Sequence, residues 1–81
     1  MWEDIAFLKQ SKTAINILKR LSEPKTPSEL AKELKLHQQS VSNTLLKLHE
    51  RKLVECITPE RHNYRHYKIT KSGQELIKKI N

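Results

Sequence analysis

Residues 26–51 read TPSELAKELKLHQQSVSNTLLKLHER, and this stretch decides the fold. Thr26 is a good helix cap, Pro27 suits the first helical position and Glu29 completes a capping box, so a helix starts here. Leu30, Ala31 and Leu34 give it one buried stripe. Lys35-Leu36-His37 is a tight turn. A second helix then runs from about Gln38 to Arg51, with Val41, Leu45 and Leu48 on one face and Gln39, Asn43, Lys47 and Glu50 opposite. Two helices joined by so short a corner cross steeply. That geometry lets the second enter a DNA major groove while the first crosses the backbone.

Working outward, residues 2–9 and 12–22 carry apolar residues at helical spacing, and Ser11 is placed either to cap the second stretch or to lie within one continuous helix. Glu23-Pro24-Lys25 ends it, because proline disfavours helix before it and cannot continue one. On the other side, Leu53 to Thr58 and Tyr64 to Ile69 read as two strands around the polar turn Pro59 to Asn63. Thr70 caps a last helix whose apolar positions are Leu76, Ile77 and Ile80. A very short strand near Lys25 is placed to pair with the hairpin. No internal repeat or linker interrupts the chain. The expectation is one mainly helical domain over residues 1–81, a three-helix core followed by a small β-hairpin and a C-terminal helix.

The chain has 81 residues, 16 Lys and Arg against nine Asp and Glu, and a formal net charge of +7. A domain this basic is suited to a polyanion. Cys56 is the only cysteine, so neither an internal disulfide nor a paired-cysteine zinc site can form. His62 and His66 are four apart but fall on a turn and strand, without a supporting acidic cluster, so no metal or other cofactor is expected. No glycine-rich phosphate loop or carboxylate pair stands out, and Cys56 lacks an organised base. The chain is therefore read as a binding protein and not an enzyme. Its apolar runs are too short for a membrane span, and its acidic first residues do not fit a signal peptide. A soluble cytoplasmic protein is expected.

The outward face of the second helix carries the functional reading. Gln38, Gln39, Ser40, Ser42 and Asn43 cluster at its N-terminus. Gln and Asn can pair with adenine through two hydrogen bonds, Ser can donate or accept, and a helix N-terminus favours phosphate. The bland alternative is an ordinary polar surface. Leu46 projects onto the same side; it is a contact for a thymine methyl, a contact for a neighbouring subunit, or a scattered surface leucine.

The run from Thr26 to Leu34, with Leu36, Ser40-Val41-Ser42-Asn43-Thr44-Leu45, Leu48 to Val54 and Tyr67-Lys68-Ile69-Thr70-Lys71-Ser72-Gly73, resembles the winged helix-turn-helix transcriptional regulators of the MarR and ArsR type, including small archaeal members. The resemblance covers roughly residues 11–80. It implies that Gln38, Gln39, Ser40, Ser42 and Asn43 read bases. It also implies that Thr26, Ser28 and Lys47 touch phosphates, and that Arg61, His62, Asn63 and Arg65 form a wing reaching the minor groove or backbone. The sequence departs from the family pattern at Lys35 and Lys52, where glycine is usual. A lysine held left-handed costs about 1 kcal/mol, which favours another turn shape at both places.

The resulting expectation is a sequence-specific regulator of double-stranded DNA, a repressor acting by site occupancy, with no evident small-molecule ligand. A homodimer would use residues 1–10, with Trp2 and Phe7, and the last helix, unless these elements close the core of one subunit. The alternatives are a winged helix used for protein contact and a non-specific architectural DNA-binding protein; fold does not fix function.

Overall fold

The computed structural model describes residues 2–60 and 65–80. Its elements are α1 (Trp2–Lys9), α2 (Lys12–Arg20), α3 (Pro27–Leu34), α4 (Gln38–Glu50), β1 (Val54–Cys56), β2 (Tyr67–Ile69) and α5 (Lys71–Ile80). Ser11 separates α1 from α2 by accepting a hydrogen bond from the Ala14 N–H at 3.2 Å, so the two do not run together.

The apolar stripes converge on one core. Leu8, Ile17, Leu18, Leu21, Leu30, Val41, Leu45, Leu48, Leu53 and Val54 are all buried within it. Val41, Leu45 and Leu48 lie one and two turns apart, so they seat α4 against α2 and α3 along a single line. Arg51, just past α4, ties down α1: its guanidinium meets Asp4 at 2.9 Å and lies 4.3 Å from the Phe7 ring centroid. Of the first segment, Leu8 is core while Trp2 remains 81% exposed.

β1 and β2 pair antiparallel, Val54 with Ile69 and Cys56 with Tyr67. The expected strand at Lys25 is a single bridge, with Lys25 and Tyr67 exchanging backbone hydrogen bonds at 3.0 and 2.8 Å. Both hairpin strands are shorter than the sequence suggests. After Ile57 donates to the His66 carbonyl, the His66 N–H turns to the Thr58 hydroxyl at 2.9 Å, and this side chain replaces the next rung of the ladder. Thr70 closes the other end. Its hydroxyl donates to the Lys52 carbonyl and accepts from the Gly73 N–H. A Cβ at Gly73 would stand 2.5 Å from the Leu53 carbonyl oxygen, so only glycine lets α5 dock on the hairpin base.

The turns at Lys35 and Lys52 correct an expectation. Both lysines adopt left-handed backbone, at φ 56° and 63°. Past each helix the pattern is the same. Leu36 donates to the Ala31 carbonyl and Leu53 to the Leu48 carbonyl, each five residues back, which is the Schellman closure. These hydrogen bonds, together with burial of Leu53 and partial burial of Leu36, outweigh a strain of about 1 kcal/mol. The corner therefore keeps the shape that glycine usually gives it.

No helix among the described residues is long and apolar enough to cross a membrane. Among them, no group of three or more His, Cys, Asp or Glu is placed to hold a metal ion.

Candidate nucleic-acid interface

The interface is built from the facing starts of α3 and α4. At α3 the capping box is complete. The Glu29 N–H donates to the Thr26 hydroxyl at 3.2 Å, and the Thr26 N–H donates to the Glu29 carboxylate at 2.9 Å. Hydrogen bonding from Thr26, through its backbone N–H first and its side chain second, holds the Glu29 carboxyl below the usual carboxylate range. Thr26 is only 6% exposed. Its hydroxyl fixes where α3 begins, and its side chain is turned into the protein rather than toward a partner.

At α4 the arrangement is opposite. His37 stands at the cap position and makes no side-chain cap hydrogen bond. Among the described residues, no side chain accepts from the first N–H groups of α4, which lie at the positive end of the helix dipole. The Ser28 hydroxyl donates to the Gln38 side-chain oxygen at 3.1 Å. This contact joins the first turn of α3 to the first turn of α4 and brings the two N-termini to one edge. No spacing rule predicts a pairing ten residues apart across a corner, so the sequence alone puts Ser28 and Gln38 in one interface without joining them.

Gln39, Ser40 and Asn43 are exposed and Ser42 is half-buried. The Gln39 side-chain amide donates to the Asn43 side-chain oxygen at 3.0 Å. The Thr44 hydroxyl donates back to the Ser40 carbonyl at 2.9 Å, a contact within α4. Lys47 is exposed one turn beyond Asn43. Leu46 shares this outer face and is 59% exposed. Of the expected wing, Arg65 is exposed, whereas Arg61, His62 and Asn63 lie outside the described residues.

A second set of charges braces the corner from behind. The Glu33 carboxylate receives Lys25 at 2.8 Å and Arg20 at 3.1 Å. The Lys25 contact is the main cause of a lowered Glu33 pKa and of a raised Lys25 pKa. Because Lys25 also bridges to Tyr67, this cluster links α2, α3 and the hairpin.

The chain matches the family model described as the HVO_A0261 N-terminal domain over residues 2–81. Among solved structures, the transcriptional regulator BldR from Sulfolobus solfataricus is similar at a TM-score of 0.79 and 26% identity, covering 88% of this chain and 52% of that one. The MarR family transcription regulator SP03579 is similar at 0.74 and 27% identity, with 84% and 47% covered. The transcriptional regulator Tm0710 from Thermotoga maritima shares the fold at 0.76 and 21% identity, with 93% and 56% covered. The fold is the winged helix of MarR-type regulators, and the chain spans about half the length of these structures. No curated protein sequence matches it.

Proposed function

The chain belongs to the HVO_A0261 N-terminal domain family, and on that premise we propose that it is a transcriptional regulator that binds double-stranded DNA with α4 in the major groove. The observation that carries this reading is the outer face of α4. An amide and hydroxyl surface at an N-terminus without a side-chain cap is held out from the body by Val41, Leu45 and Leu48. Gln39 and Asn43 are the proposed base readers. The adjoining N-termini of α3 and α4, with Ser28 and Lys47, are the proposed phosphate contacts. Gln38 holds the two helices in register, Ser40 and Ser42 flank the readers, and Arg65 extends the contact toward the hairpin. Thr26 acts on the phosphate edge indirectly, by fixing the start of α3.

One recognition helix spans few base pairs, so specificity is proposed to come from two copies on a pseudo-palindromic site, acting as a repressor by occupancy. The exposed Trp2 and the α5 surface are the proposed joining faces.

Binding to duplex DNA over a salt series tests the reading. Affinity is expected to fall steeply as salt rises, because each phosphate contact releases counterions. Gln39→Ala is expected to cost roughly 1–3 kcal/mol on a selected site and to relax its base preference. Failure to hold any duplex at low ionic strength would remove DNA binding. Retained preference in Gln39→Ala would remove the base-reading assignment.

A further inference from the structure

Gln39, Asn43, Leu46 and Glu50 fall at steps of four, three and four residues along α4, which aligns them in one outward stripe. Three of the four are polar. The fourth, Leu46, is 59% exposed, although its neighbours Leu45 and Leu48 are buried. Its side chain is not needed for the core, and any good helix former would serve the helix at that position.

We propose that Leu46 is a specificity-determining residue that recognises the C5-methyl group of a thymine. This rests on the DNA reading above and extends it to a particular base. The only apolar group on a base edge in the major groove is the thymine methyl, so it is the feature that a leucine on this face can recognise.

The Gln39–Asn43 contact sets the frame for that readout. A primary amide has two N–H groups. In Gln39 one of them is donated to the Asn43 oxygen. This contact leaves Gln39 a second N–H and its carbonyl oxygen. One donor and one acceptor are what adenine requires, since it offers an acceptor at N7 and a donor at N6. Asn43, besides the base contact proposed above, thus fixes the Gln39 amide plane before DNA arrives. Leu46 follows Gln39 by seven residues, about 10 Å along the helix axis. At about 3.4 Å per base step this is at most roughly three base pairs, and fewer because a helix in the groove is inclined to the DNA axis. The reading stripe therefore combines an adenine taken by Gln39 with a thymine methyl taken by Leu46, within that separation.

The test selects bound sites from a random duplex pool with the full chain, then replaces each thymine of the selected site by deoxyuridine, which removes only the methyl. For the native protein, one such replacement is expected to weaken binding roughly fourfold, the ratio expected for burial of one methyl-sized group. That position should lie within about three base pairs of the one whose preference Gln39→Ala relaxes, the upper limit set by the helix rise and base spacing used above. Leu46→Ala should be indifferent to the same replacement, and its circular dichroism should match the native protein. If the native protein ignores every deoxyuridine while Gln39→Ala still relaxes a base, Leu46 is not a reader and the α4 assignment stands. If Leu46→Ala keeps the deoxyuridine effect but changes the sedimenting mass, Leu46 belongs to a protein contact and the inference is overturned. If no duplex is selected, this inference and the function it rests on both fall.

Discussion

The starts of α3 and α4 lie side by side, yet their polar groups are used in opposite ways. At α3, Thr26 and Glu29 satisfy each other's backbone N–H groups, and Thr26 is buried. At α4, His37 supplies no side-chain cap, while Gln39, Ser40 and Asn43 are exposed. The first terminus gains local stability by closing its own donors. The second keeps donors and positive potential toward solvent, where a phosphate can take them. The difference teaches that the corner divides its tasks: α3 fixes the geometry and α4 presents it. The side-chain bond from Ser28 to Gln38 connects the two.

The largest expected effect removes the support that both termini share. Val41 is fully buried under the first turn of α4. Val41→Asp should cost more than about 4 kcal/mol, because it buries a charge without a partner. Denaturant unfolding checks this; a variant that stays folded with native stability would mean that α4 is rotated from the face described.

Next in size is the closed terminus. Thr26→Ala should cost about 1 kcal/mol, the usual value of a lost cap. The same box predicts a pH dependence. The Glu29 carboxyl has a folded-state pKa below its unfolded value, since hydrogen bonds favour the ionised form. Its contribution is therefore complete above the unfolded pKa and is lost as pH falls through the folded one. Glu33, lowered by Lys25, behaves in the same direction. Melting temperature should fall on acidification through the carboxylate range, and Glu29→Gln should flatten part of that fall. An unaltered profile in Glu29→Gln would detach the box from stability.

The open terminus gives the converse. His37→Asp should raise stability by roughly 0.5–1 kcal/mol, by supplying the missing cap acceptor. It should also weaken duplex binding, because a carboxylate then occupies the place proposed for phosphate. Thermal melting and a binding titration on one preparation measure both. Tighter binding would show that the open start is not a phosphate site.

The smallest effect concerns the turn between them. Lys35→Gly should stabilise the fold by a few tenths of a kcal/mol up to about 1, since relief of left-handed strain is partly offset by a more flexible unfolded chain. Loss of stability would indicate that the lysine side chain contributes more than its backbone costs.

Much of this was legible in the sequence because it depends on local chemistry. Thr26-Pro27-Ser28-Glu29 specifies a helix start by hydrogen bonds within one turn, and α3 begins at Pro27. Val41, Leu45 and Leu48 specify a buried face by period alone, and Thr70 caps α5 through the Gly73 N–H. What local chemistry could not determine was the shape at Lys35 and Lys52. Residue preference there favours a turn without left-handed backbone, and the opposite was found. The six-residue closures are local, but Leu53 is buried only once the helices are packed, and together they outweigh the preference. The Ser28–Gln38 contact likewise follows from the crossing of α3 on α4, whereas Gln39–Asn43 is an i, i+4 pair within one helix. The sequence by itself thus determined the elements, their buried faces and the polar character of α4. The tertiary structure alone decided the left-handed corners, the pairing of the two helix starts and which polar groups stay open, because each depends on free energy gained from parts of the chain that meet only after folding.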